Sequence, residues 1–322
     1  MKDTEMSSSV RTYVVTGGAG FIGSHLSEAL GAAGHEIRIL DDLSSGRREN
    51  IASLLDQDNI SFFQGSITNP DFLQEHLQGA DGIFHQAAFV SVPRSIDDPL
   101  LNHAVNITGT LNVLLAARDA GVRKVVFASS AAVYGNLPDL PKREDSRVDP
   151  QSPYAVAKLT GEYYCSLFTS LYGLKTVCLR YFNVYGPRQD PHSDYAAVIP
   201  RFIDRVKQGE PPIIYGDGEQ TRDFIFVKDV ARMNIRAMER EAEGVFNIAN
   251  GKATSVNELA HTVLSLSESS LKPKYEKGRQ GEVKHSVADI SKVKERLGIT
   301  PEYDLSRGLS EMITGNAGTI KK

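Results

Sequence analysis

The sequence predicts a doubly wound α/β fold, a parallel sheet with helices on both faces, followed by a smaller mixed α/β C-terminal region. Three observations predict it. A glycine-rich turn follows the first apolar run, short β-rich runs then alternate with helical patterns as far as residue 180, and beyond that point prolines and glycines break the rhythm.

The first run, Tyr13-Val14-Val15-Thr16, leads into Gly17-Gly18-Ala19-Gly20-Phe21-Ile22-Gly23 and then His25, Leu26, Ala29, Leu30 and Ala33: strand, glycine turn, helix. Gly17 allows the tight turn, Gly20 lets a pyrophosphate approach the backbone, and Gly23 lets the helix pack closely on the strand. The second strand, Glu36 to Leu40, ends in Asp41 at the distance where an acid meets an adenine ribose hydroxyl. This is the Rossmann arrangement, and Asp41 favours NAD over NADP because a 2′-phosphate would meet a carboxylate. Arg47 and Arg48 weigh slightly against that reading, but on a polar loop they are read as solvated.

Further strands are expected at 60–64, 82–87, 123–129 and 175–180, with helices between them. The fifth runs into Ser129-Ser130, so Ser130 stands at the carboxyl end of a strand, where such sheets bind ligands. A helix follows from Ser152 (N-cap) and Pro153 (first position) to a stop at Gly173. Tyr154 and Lys158 share one face of it, four residues apart, so the ammonium can favour the phenolate and make the tyrosine a base near neutral pH. The expected division is a dinucleotide-binding domain over 1–180, with a return segment near 224–249, and a discontinuous second domain over 181–322.

A net charge of −4 gives no basic footprint for nucleic acid. No stretch reads as long and apolar enough to span a bilayer, and the N-terminal Met1 to Glu5 segment has no apolar run behind it, so a cytoplasmic protein is expected. Cys165 and Cys178 read as buried small hydrophobes, and the histidines show no metal spacing; no metal is expected. Residues 315–322 read as a frayed tail.

Thr16-Gly17-x-x-Gly20-x-x-Gly23, Ser130, Tyr154-x-x-x-Lys158 and Arg180-Tyr181-Phe182-Asn183 together resemble the extended short-chain dehydrogenase/reductase family of nucleotide-sugar enzymes, over nearly the whole chain. Gln189-Asp190-Pro191, Tyr195 to Pro200 and Gly216-Asp217-Gly218 are most similar to the UDP-hexose 4-epimerases, and within them to the UDP-N-acetylglucosamine 4-epimerases. The resemblance implies that Tyr154 removes the O4 proton while the C4 hydride passes to NAD, that Ser130 relays the proton, and that Lys158 lowers the tyrosine pKa and holds the nicotinamide ribose. The 4-keto sugar then turns over and takes the hydride back on its other face. Implied cofactor contacts are Gly17, Gly20, Phe21, Ile22, Gly23, Asp41, Asp42, Ser44, Ser45, Gly46, Gln86, Ala87, Ala88, Asn106 and Phe182, together with Ser66 and Ile67, where the family has Asp-Ile. The serine there offers a weaker hydrogen bond than a carboxylate.

For the substrate, the resemblance places Arg222 and Arg279 on the diphosphate, Asn183 on a phosphate oxygen, and Ala197, Val198, Ile199, Ile213 and Tyr215 around uracil. Ser286 stands where epimerases limited to plain hexoses carry tyrosine, leaving room for an acetamido group, and Ser91 offers that sugar a hydroxyl. Expected substrates are therefore UDP-GlcNAc and UDP-GalNAc, with UDP-glucose and UDP-galactose remaining open. Dehydratases of the family carry Thr-Asp-Glu where this chain has Ser130-Ala131-Ala132, which argues against elimination of water. A decarboxylase or reductase of the same fold, or an NAD-binding sensor without activity, are the other readings. The helices near 100–120 and 152–173 are apolar on more than one face, as at Leu111, Leu115, Tyr163, Leu167 and Leu171, and a homodimer through them is expected.

Overall fold

Seven parallel strands meet in one sheet because each carries a near-continuous apolar run that helices bury from both sides. The computed structural model describes residues 9–190, 197–278 and 284–315. In chain order the first six strands are β1 (Thr12–Thr16), β2 (Glu36–Asp41), β3 (Ile60–Gln64), β4 (Gly82–His85), β5 (Lys124–Ser130) and β6 (Lys175–Tyr181). Six strands follow: β7 (Asn183–Tyr185), β8 (Ile213–Tyr215), β9 (Thr221–Phe226), β10 (Gly244–Ile248), β11 (Ala253–Ser255) and β12 (Lys274–Glu276). The large sheet has the order β10-β6-β5-β4-β1-β2-β3, so the chain reverses direction between β1 and β4, the crevice where such sheets bind dinucleotides.

On one face, helix α1 (Phe21–Ala32) buries Leu26 and Leu30 in a core shared with Met233 and Ala237, which come from a helix after β9. The opposite face is covered by α2 (Pro70–Leu77) and two longer helices that bury Val113, Leu114, Cys165 and Phe168. Both cysteines are buried thiols without a disulfide. The return to the sheet begins after β9, since β9 pairs with β7 and β11 in a separate three-stranded sheet, and only β10 joins β6. A third core, built from Tyr185, Phe202, Ile214, Phe224 and Leu259, sits under the smaller sheets.

The segment after β4 holds α3 (Val92–Asp97), α4 (Pro99–His103), a π-helical stretch over Ala104–Gly109, and α5 (Thr110–Asp119). From Pro99 to Asp119 it forms one helix of 21 residues, long enough to cross a bilayer and holding an 18-residue stretch apolar enough to do so. The expectation that no segment reaches that length is thus corrected. Its apolarity has a use within the fold: Val113, Leu114 and Ala117 cover the sheet, against α2 and the following helix α6 (Pro153–Tyr172).

Helix α6 starts and stops where its caps demand. The Ser152 side chain accepts from Ala155 N–H at 3.2 Å, Pro153 fills the first turn, and Gly173 closes the helix at φ 71°. The last residues of the tail, 316–322, lie outside the described residues.

Candidate active site

A cleft of about 810 Å³ opens over the carboxyl ends of β1, β2, β4 and β5. Its floor is the glycine turn, and the glycines are there for closeness. Gly17 has φ +67°, and a Cβ on it would lie 2.6 Å from the Ala87 nitrogen. A Cβ on Gly23 would lie 2.1 Å from the Gly17 carbonyl oxygen. The turn thus leaves a bare backbone cradle at the α1 N-terminus, which suits a pyrophosphate. Asp41, at the end of β2, is 7% exposed. Its carboxylate accepts from Ala19 N–H at 3.0 Å and Leu43 N–H at 2.8 Å, and burial raises its pKa against those bonds. Every residue expected to touch the cofactor lines this cleft except Asn106 and Phe182.

Asn106 lies in the π-helical stretch with its amide fully used: it accepts from Phe89 N–H at 2.8 Å and donates to Phe89 O at 3.0 Å and to Asn102. It positions the loop after β4 and stands off the cleft wall. Phe182 packs with Val133, Tyr134, Ala249 and Ala288 in a small core below. Arg47 is exposed, as expected, and also pairs with Asp190 across the mouth of the cleft, while Arg188 pairs with Glu28 at 2.8 Å. His25 adds a third tie, its Nε2 lying 2.9 Å from Pro187 O. Burial keeps that ring neutral, with its pKa lowered to about 4.

Ser130, Tyr154 and Lys158 come together at the end of β5. The Ser130 side chain is hydrogen-bonded to the Tyr154 phenol, and Lys158 Nζ donates to Ala128 O at 2.8 Å, with the Tyr154 ring centroid 5.8 Å away. The electrostatics run against the expectation from i,i+4 spacing alone. Burial pushes the Tyr154 phenol up to about 12 and pulls Lys158 down to about 7. The two groups are 9% and 3% exposed, and loss of water outweighs their mutual attraction. In the protein alone the tyrosine is a phenol, and a phenolate needs a further positive charge in the cleft.

This arrangement has a measurable pH signature. Since Lys158 titrates near 7 when folded and in the ordinary lysine range when unfolded, the unfolded chain holds the extra proton between those values. Stability of the ligand-free protein therefore rises with pH through that window. Lys158→Met should flatten the rise by about 1–3 kcal/mol, seen as thermal unfolding followed from roughly pH 6 to pH 9. Parallel curves for the two proteins would show that Lys158 is not the titrating group.

Behind the site lies a buried ionic network. Glu162, four residues after Lys158 on α6, accepts from Arg180 Nε at 2.9 Å, from Arg180 Nη2 at 2.7 Å and from Ser129 Oγ at 2.5 Å. Arg180 also lies 4.7 Å from the Tyr134 ring, and Tyr134 OH donates to Asn247 on β10 at 2.6 Å. On the other side, the one proton of Tyr181 OH is shared between two acceptors, Asn234 Oδ1 at 2.9 Å and Gln86 Oε1 at 3.1 Å, and Tyr181 lines the cleft. None of these links was expected from the sequence.

A second cavity, about 490 Å³, lies over the smaller sheets. It is lined by Asn183, Ala197, Val198, Ile199, Ile213, Tyr215 and Arg222, all expected around the nucleotide, and also by Arg201, Phe202, Arg205 and Gln220, which were not. Arg205 and Gln220 could have been noticed as polar residues beside apolar runs, but nothing in their spacing sets them apart. Ser286 lines neither cavity; its N–H donates to Thr221 O at 3.1 Å, beside Arg222. Arg279 lies outside the described residues.

A cradle for a pyrophosphate, an acid for the ribose and a serine–tyrosine–lysine set at one strand end define a nicotinamide-dependent enzyme that moves protons at a hydroxyl. The chain belongs to the NAD dependent epimerase/dehydratase family, whose model matches residues 13–249. The UDP-N-acetylglucosamine 4-epimerase of Methanobrevibacter ruminantium, solved in complex with UDP-N-acetylmuramic acid, is 42% identical, with a TM-score of 0.93 over 97% of this chain and 99% of that one. The UDP-glucose 4-epimerase of Thermotoga maritima, solved with UDP-glucose, is 38% identical, with a TM-score of 0.91 over 96% of this chain and all (100%) of that one. The UDP-glucose 4-epimerase of Mycolicibacterium smegmatis is 41% identical over 305 residues, 93% of this chain and 96% of that protein.

Proposed function

We propose that the protein is an NAD-dependent 4-epimerase of UDP-sugars, interconverting UDP-GlcNAc with UDP-GalNAc and accepting UDP-glucose and UDP-galactose as well. The observation that carries this is the convergence of Ser130, Tyr154 and Lys158 at the end of β5 with alanines, Ala131 and Ala132, next in the chain. A proton can be taken from a sugar hydroxyl here, but no carboxylate stands beside Ser130 to remove water across C5 and C6.

NAD fits the cradle described above, where Asp41 would hold its ribose and Lys158 its nicotinamide ribose, and it supplies a reversible two-electron acceptor and a positive charge. Tyr154 takes the O4 proton through Ser130 and returns a proton to O4 once the ketose has turned over. Lys158, which burial pulls down to about 7 in the protein alone, sits beside the phenol in a pocket from which water is excluded, so the charge it carries there is weakly screened. Arg222 meets the diphosphate, and the second cavity takes the uridine.

The test is to give purified protein UDP-GlcNAc and UDP-glucose in turn and resolve the sugars. The expected products are the galacto epimers; a 4-keto-6-deoxy sugar would point to dehydration. Ser286 stands outside both cavity walls but is bonded to Thr221 beside the cavity-lining Arg222, and the larger side chain of Ser286→Tyr should lower kcat/KM for UDP-GlcNAc at least tenfold more than for UDP-glucose. Equal losses would remove Ser286 as the size filter. Under this reading the protein works in the cytoplasm as a homodimer. Val156, Tyr163, Leu167 and Leu171 support the dimer, since all four are exposed along one stripe of α6.

A further inference from the structure

The sugar end of the cofactor cleft holds a cation that the mechanism above does not use. Arg94 lies on the cleft wall with Val90, Ser91, Tyr154 and Lys158. Backbone contacts fix its place beside the tyrosine. Tyr154 N–H donates to Ser95 Oγ at 3.2 Å, Ser95 Oγ donates to Val92 O at 2.6 Å, and Arg94 N–H donates to Ser91 Oγ at 3.2 Å. The guanidinium carbon lies 4.7 Å from the Phe89 ring centroid, and the Phe89 backbone is fixed by the Asn106 amide, which accepts from its N–H and donates to its C=O. The arginine head is exposed and rests over that ring.

No carboxylate among the described residues pairs with it. The acids on the cleft wall, Asp41, Asp42 and Asp190, lie at the adenosine end, where Asp41 is engaged by two backbone amides and Asp190 by Arg47. The substrate diphosphate has an arginine of its own, Arg222, in the second cavity. An anion at the sugar end would thus meet a planar donor and no competing acid.

We infer that Arg94 is a specificity residue for hexoses that carry a carboxylate, so that the site turns over UDP-uronic acids as well as neutral UDP-sugars. The inference rests on the epimerase reading of the site. Tyr154 must meet O4, and C6 hangs from the adjacent ring carbon. A guanidinium on the segment bonded to the Tyr154 backbone is therefore within reach of a C6 carboxylate, which it can grip with two parallel N–H bonds.

The test compares kcat/KM for UDP-glucuronate, UDP-glucose and UDP-N-acetylglucosamine in wild type, Arg94→Gln and Arg94→Lys, using the NAD-loaded enzyme. Wild type should convert UDP-glucuronate to its 4-epimer. Arg94→Gln should lower the ratio of acidic to neutral turnover by about 10- to 100-fold, as expected for loss of a charge-assisted bidentate contact, and Arg94→Lys by less. A wild type that converts UDP-glucose but not UDP-glucuronate, or a ratio unchanged in Arg94→Gln, would overturn the role of Arg94. No conversion of any of the three sugars would overturn the epimerase reading itself.

Discussion

Tyr154→Phe is expected to lower turnover of every UDP-sugar by about 10³-fold or more while NAD still binds, the range seen when a positioned acid–base group is removed. The geometry makes this a clean substitution. The phenol oxygen is hydrogen-bonded to Ser130, and Tyr154 is buried at the start of α6, so phenylalanine keeps the packing and loses only the proton carrier. Fluorescence of bound dinucleotide and sugar turnover, measured on the same sample, separate the two effects. A variant with more than a tenth of wild-type activity would show that another group carries the proton.

Glu162→Ala should cost about 3–5 kcal/mol of stability, because it strands a buried guanidinium. Arg180 and Glu162 are only 5% and 4% exposed, and without the carboxylate Arg180 keeps a 3.3 Å bond to Glu144 O and its contact with Tyr134 but no anion. A loss that size is a large part of the total stability of a typical domain. It also loosens the seat of α6, the helix that presents Tyr154 and Lys158 to Ser130. Urea unfolding of the two proteins gives the number, and a loss below about 1 kcal/mol would mean that water or a neighbour replaces the carboxylate.

The parts of the site carried by neighbours in the chain were readable from the sequence. Ser152, Pro153 and Gly173 bracket α6 through local capping chemistry, and the Gly17, Gly20 and Gly23 spacing is itself a backbone requirement. What stayed hidden depends on strands and helices meeting. Glu162 and Arg180 pair only because β6 lies beside α6, and Arg47 reaches Asp190 from 143 residues away. Asn106 matches a cofactor-side motif in sequence, but the π-helical stretch turns its amide to Phe89. The Tyr154–Lys158 spacing told which face the two share and nothing of how dry that face is, which is why the pKa of each moves opposite to the simple expectation. The length of Pro99–Asp119 was likewise hidden, since only the folded chain joins α4, the π-helical stretch and α5 into one helix of 21 residues.

The most direct test of the account follows hydrogen at C4. Incubation of the enzyme with UDP-GlcNAc in D2O, without added cofactor, should give UDP-GalNAc whose C4 hydrogen is still protium by NMR, because the hydrogen leaves and returns within one closed site. Deuterium at C4, or a product that has lost water, would contradict it.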